Sequence, residues 1–178
     1  MKKPFSWKLR IALFATAVFL LIGGCSKTDE QDKITESIKT VVGLQMNAPD
    51  EKALSQNYVT PEEDSWLEDY TAYLKETFGP YFTESTTEQY IMTNEFVSFH
   101  HAADRFNYEL KVRNIDVEQN EVTPTNYNFT VELDYKKDGE ITPIEVTGVA
   151  IMRDDKIAKI SYLGDKKLLR NLFSGELE

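Results

Sequence analysis

The chain has one cysteine, Cys25, and two histidines, the adjacent His100 and His101. A single cysteine rules out an intrachain disulfide, so the fold must be held by its core. It also rules out the thiolate sets of zinc fingers and iron–sulfur centres. The two histidines read as the start of a strand, where neighbours point to opposite faces and cannot share a metal ion. Glycine and proline are sparse, at 8 and 6 residues. The sequence has no glycine-rich phosphate loop, no histidine-based zinc motif and no calcium loop of alternating oxygen ligands about a central glycine. We therefore expect neither metal nor cofactor.

Positive charge is also scarce. Lys and Arg number 20 against 30 Asp and Glu, a net charge of −10. Nucleic acid needs a basic surface, so it is not an expected partner. Strong docking of the protein surface on anionic headgroups is excluded for the same reason.

Only one long apolar run is present, at the N-terminus. Lys2, Lys3, Lys8 and Arg10 precede an uncharged apolar stretch from Ile11 to Ile22. That stretch is shorter than the ~17–25 residues of a permanent membrane helix, and it has the layout of a cleaved signal peptide. Leu21-Ile22-Gly23-Gly24-Cys25 resembles a lipobox: aliphatic, small, small, then the thiol that accepts lipid. The polar stretch Ser26 to Lys33 suits a tether. The expected organisation is a lipoprotein signal peptide over residues 1–24, a lipidated Cys25 with a short tether over 25–33, and one domain over 34–178. Cleavage after Gly24 removes four basic residues and no acidic one, leaving 16 against 30, a net of −14. Diacylglyceryl and N-acyl groups on Cys25 would then hold the protein on the extracytoplasmic side of a membrane.

Helical spacing comes first in the domain. Thr28-Asp29-Glu30-Gln31 reads as a capping box ahead of Ile34, Ile38, Val41, Val42 and Met46, and Asn47-Ala48-Pro49-Asp50 breaks that helix. Thr60-Pro61-Glu62-Glu63 opens a second helix with a capping box and proline at its first position. Trp66, Leu67, Tyr70, Tyr73, Leu74 and Phe78 recur along it until Gly79-Pro80. A third helix is expected from about Ser85 to Glu95.

The apolar period then falls from about 3.6 to 2. Phe106, Tyr108, Leu110 and Val112 alternate with polar residues. Ile115 and Val117 continue out of phase, which places a bulge near Arg113-Asn114. Tyr127 to Tyr135, Ile144 to Met152 and Ile157 to Leu163 are further strands. Asp138-Gly139 and Asp154-Asp155 make the turns, and Asp165 to Phe173 reads as a short closing helix. The expected fold class is α+β: N-terminal helices packed on a curved four-stranded antiparallel sheet, with a short C-terminal helix.

This order, the Tyr81-Phe82-Thr83 step after the second helix and the long hairpins resemble the nuclear transport factor 2-like superfamily over roughly Thr28 to Leu163. The resemblance implies a cone with a pocket between sheet and helices, and homodimers through the open sheet face. It implies no single function, since this fold hosts isomerases, dehydratases, binding modules and assembly domains.

Two functional readings follow. An isomerase or dehydratase of this fold would need a buried carboxylate beside a tyrosine, and Asp104, Asp134, Tyr70 and Tyr108 are the available types. Yet Asp134 lies on the solvent phase of its strand and Asp104 in a loop-like stretch. The favoured reading is a non-catalytic binding or interaction module for a protein or apolar ligand. Trp66, Tyr70 and Tyr73 are its candidate ligand-binding residues, because their helix carries more aromatics than one apolar stripe requires. Phe78, Tyr127 and Phe129 read as core.

Overall fold

A computed structural model describes residues 25–54, 66–164 and 166–176. The signal peptide, the Thr60–Glu63 capping box and Asp165 lie outside the described residues. The chain divides after Ile34, and residues from Thr35 onward form one compact unit. Among the described residues, no helix is long and apolar enough to cross a membrane.

Helix α1 spans Cys25–Met46. Ile38, Val41, Val42 and Met46 fall every three or four residues and are fully buried. The helix begins at Cys25, ahead of the start expected at Thr28. Helix α2, Trp66–Phe78, buries Tyr70, Leu74 and Phe78, one residue per turn. Leu67, expected on that stripe, is 57% exposed. Helix α3, Glu84–Thr93, is capped by the Thr83 side chain, which accepts from the Thr86 N–H, and ends on the left-handed Asn94.

A short 3₁₀ turn, Glu95–Val97, leads into α4, Ser98–Phe106, which buries Phe99, His100, Ala102 and Ala103. This helix corrects the reading of the histidines as a strand start and of Asp104 as loop. The buried positions follow helical spacing, but two are alanines, which a search for large apolar residues passes over. The left-handed Asn107 closes the helix, and the sheet starts at Tyr108 rather than Phe106.

The sheet is an antiparallel meander in the order β1 (Tyr108–Gln119), β2 (Asn126–Lys137), β3 (Glu140–Arg153), β4 (Lys156–Tyr162). Asp138 and Gly139 take positive φ of 53° and 87° at the β2–β3 turn. Asp154 and Asp155 do the same at the β3–β4 turn, at 49° and 60°. The bulge falls between Val112 and Asn114, which brings Ile115 opposite Val131 and Val117 opposite Phe129. Helix α5, Lys166–Ser174, closes the chain with Leu172 buried. The architecture is α+β with a four-stranded antiparallel sheet, as the sequence pattern indicates.

Both sheet edges are partly covered, which removes bare backbone donors and acceptors from the ends of the sheet. On β1, Ala48 exchanges two hydrogen bonds with Leu110 at 3.1 and 2.7 Å. On β4, the Thr83 N–H donates to the Ile157 carbonyl and the Ile157 N–H to the Tyr81 carbonyl. The Tyr81-Phe82-Thr83 step is therefore the cover of an edge. Between helices and sheet the space is occupied by the protein's own rings. Phe78 stacks on Phe96 at 4.3 Å, and Phe82 and Tyr90 pack edgewise against Phe96. Gly148 leaves room for Phe129: a Cβ on Gly148 would lie 2.1 Å from the ring's Cζ.

Candidate functional site

Among the described residues, the fold offers ligand space at its surface. The C-terminal half of α1 and the middle of α2 bracket a cleft of about 530 Å³. Lys39, Gly43 and Leu44 come from α1, Asp50 and Lys52 from the segment after it, Tyr73 and Thr77 from α2, and His100 from α4. Gly43 sits inside a helix, where glycine is destabilising by roughly 0.5–1 kcal/mol relative to alanine. A Cβ there would meet nothing nearer than 3.9 Å, so the glycine keeps one wall low rather than avoiding a clash.

The floor is fixed by a polar network. The Asp50 carboxylate accepts from the N–H groups of Lys52 and Ala53, each at 3.0 Å, and so starts the turn that follows it. The Asp50 N–H donates to His100 Nδ1 at 3.0 Å. With Nδ1 accepting, the ring proton is on Nε2, which donates to the Leu44 carbonyl at 2.9 Å. His100 is 2% exposed. Burial depresses its pKa below the ordinary histidine value, and this outweighs the upward pull of the Leu44 carbonyl and the Asp50 charge. The imidazole is a neutral tie between the end of α1 and the next segment.

Tyr73 presents its ring and hydroxyl to the cleft. Burial raises its pKa, the Asp50 charge adds to this, and Thr77 opposes it, so the phenol is a donor at neutral pH. Tyr70 stands behind it, with ring centroids 6.3 Å apart. The Tyr70 hydroxyl donates to the Ala53 carbonyl at 3.1 Å, and burial, with Tyr73 adding, pushes its pKa up to about 12. Trp66 is half-buried and is not among the residues lining the cleft. Of the three aromatics singled out by sequence, Tyr73 faces the cleft, Tyr70 supports it from the core, and Trp66 lies two turns away along α2.

The acids weighed for catalysis lie elsewhere. Asp134 pairs with Arg113 at 3.2 Å, and both are partly exposed. Asp104 is exposed, and it shares a groove of about 390 Å³ with Tyr108, whose hydroxyl already donates to the Leu172 carbonyl at 3.0 Å. Among the described residues, the buried polar side chains are Gln45, Thr86, Thr87 and His100, with no carboxylate. Among them, too, no three His, Cys, Asp or Glu side chains gather as metal ligands.

Sequence reasoning missed Lys39, Gly43, Asp50, Lys52 and His100, which come together only through tertiary folding. Two signals were present. Gly43 is a glycine inside an apolar helical stripe, and Asp50 follows Asn-Ala-Pro, where a side-chain oxygen can start a turn.

No protein-family model matches the chain, and no curated protein does. Two solved structures resemble it. One is the solution NMR structure of a de novo β-sheet design, 16% identical, with a TM-score of 0.44, covering 76% of this chain and 90% of that one. The other is the NMR structure of TraH from the Gram-positive conjugative plasmid pIP501, 12% identical, also with a TM-score of 0.44, covering 82% of this chain and 99% of that one.

Proposed function

We propose that this protein is a lipid-anchored extracytoplasmic binding module with a nuclear transport factor 2-like domain. It docks a partner or ligand in the α1–α2 cleft and turns nothing over. The cleft carries the reading. It has an aromatic wall in Tyr73, two lysines and one aspartate, and a histidine bonded at both ring nitrogens ties the Asp50 backbone to the end of α1. Such a surface suits a group with both apolar area and acceptor oxygens. The chain's overall negative charge makes the local surplus of lysine selective for such a group. The packing of Phe78, Phe82 and Tyr90 on Phe96 and the absence of a carboxylate among the buried polar side chains described weigh against an isomerase or dehydratase.

Anchoring rests on Leu21 to Cys25 and is tested by feeding cells an alkyne-tagged fatty acid. The wild-type chain should carry the tag and Cys25→Ser should not. An untagged wild-type chain would contradict it. A homodimer through the open sheet face is a separate proposal. That face carries exposed Asp116, Glu118, Glu132 and Glu145. Such a dimer should therefore strengthen with salt, which analytical ultracentrifugation reads.

A further inference from the structure

The cover on the β1 edge stops halfway along the strand. Leu110 is paired by Ala48, and the Val112 N–H donates to the Asn47 side chain at 2.9 Å. The bulge between Val112 and Asn114 then moves the outward-facing backbone from even to odd positions. Beyond it the Asn120 N–H donates to the Asn126 carbonyl at 2.8 Å, so the even residues point to β2. Ile115, Val117 and Gln119 therefore turn their N–H and carbonyl groups away from the sheet. β1 is an end strand, and among the described residues nothing bonds those groups. The β4 edge is treated differently. Beyond the pairing of Ile157 with Tyr81 and Thr83, the Thr86 hydroxyl donates to the Ala158 carbonyl at 2.8 Å. The Tyr90 hydroxyl donates to the Ile160 carbonyl at 3.2 Å and accepts from its N–H at 3.3 Å. One edge is closed by loop and side chains, and the other is left open over Asn114 to Gln119.

We propose that this open half of β1 takes a fifth strand from another protein, an extended segment in which Lys or Arg alternates with apolar residues. The edge supplies backbone donors and acceptors to a strand of about six residues, and the side chains beside it set the partner's pattern. On the inner side Ile115 and Val117 are half-buried, opposite Val131 and Phe129. Helix α1 passes close there, since a Cβ on Gly43 would lie 3.9 Å from Ile115 Cδ1. An added strand would extend this apolar surface with its own apolar residues. On the outer side Asp116 and Glu118 are exposed, and their β2 partners, Thr130 and Asn128, carry no charge. A second copy of this chain is a poor occupant. A two-fold pairing centred anywhere from Asp116 to Glu118 sets acid against acid, which is destabilising. The same two carboxylates favour a strand with basic residues on that face. They thus guard the edge against self-association while leaving it open to a partner of opposite charge. The proposal does not rest on the α1–α2 cleft.

The test is an NMR titration of the full chain in non-ionic detergent micelles with the capped peptide Lys-Val-Lys-Ile-Lys-Val-Lys. A peptide of the same composition with its lysines in one block, Lys-Lys-Lys-Lys-Val-Ile-Val, controls for charge alone. The alternating peptide should bind saturably, shift the backbone amides of Ile115, Val117 and Gln119 and slow their hydrogen exchange. It should bind about tenfold or more tightly than the block peptide. Val117→Pro removes an outward N–H that the sheet does not use, so it should keep the fold and weaken binding about tenfold or more. Reversing both charges, with Asp116→Lys and Glu118→Lys, should lose the lysine peptide and gain Glu-Val-Glu-Ile-Glu-Val-Glu. Equal binding of the block peptide, no slowing of the three amides, or unchanged affinity in Val117→Pro would overturn the proposal. Shifts at the same amides on raising the protein concentration without peptide would overturn it too, by giving the edge to a second copy. Should Val117→Pro fail to fold, an unaltered charge preference in the double reversal would do the same.

Discussion

His100 accepts a hydrogen bond from the backbone N–H of Asp50, fifty residues earlier in the chain, at 3.0 Å. This bond works only while the ring is neutral, because a protonated Nδ1 would face the Asp50 N–H donor to donor. The same ring donates from Nε2 to the Leu44 carbonyl, a bond that protonation at Nδ1 leaves in place, so titration would release the Asp50 end of the segment that floors the cleft and keep the Leu44 end.

The consequence for stability has a definite sign. Burial lowers the folded-state pKa of His100 below its ordinary value, so the unfolded chain binds the proton more tightly. Stability from this ring is complete above an ordinary histidine pKa of about 6.5 and is lost as pH falls below it toward the folded-state value. His101, also lowered by burial, contributes in the same direction. Urea unfolding of wild type and His100→Phe across this range should separate the two. The variant should lose roughly 1–3 kcal/mol at neutral pH, with a shallower decline on acidification. Parallel pH curves would show that His100 is not the titrating group.

Leu133 is fully buried at the centre of β2, opposite Val112 and Ile144. Leu133→Asp should destabilise by roughly 4 kcal/mol or more, because an uncompensated charge enters the core. A melting temperature within a few degrees of wild type would mean that the strand phase is wrong.

Gly148 and Phe129 form a fitted pair across β2 and β3. A Cβ at 148 would lie 2.1 Å from the ring and 2.6 Å from the Ser161 carbonyl oxygen, and the backbone oxygen cannot move aside. Gly148→Ala should therefore lose about 1–3 kcal/mol. Adding Phe129→Leu should cost less in this background than in wild type, a coupling that a double-mutant cycle measures. Strict additivity would show that the ring does not need the glycine.

The sheet was legible because its information is local. Alternation in β2, the Asp138-Gly139 turn and the phase slip between Val112 and Ile115 each occupy a few adjacent residues, and each is found where the pattern puts it. Helix α4 was not legible. Its buried face includes two alanines and a histidine, and the chemistry that buries His100 sits on Leu44 and Asp50, far away in sequence. The candidate cleft was half legible for the same reason. Tyr73 stood out as an aromatic beyond one helical stripe, whereas Lys39, Asp50 and Lys52 reach the cleft only once α1 has turned back at Asn47. There the Asn47 side chain accepts from the Val112 N–H of β1 at 2.9 Å.

The most direct test of the binding account is in-cell photo-crosslinking from inside the cleft. A photoreactive phenylalanine placed at Thr77 should give a light-dependent adduct, and one at Glu132 on the outer sheet face should not. Gly43→Leu should fill the cleft without disturbing the fold, since a Cβ there meets nothing nearer than 3.9 Å. The account predicts that the adduct from position 77 disappears in Gly43→Leu while the membrane level of the protein is unchanged. No adduct at position 77, or an adduct that survives Gly43→Leu undiminished, would contradict it.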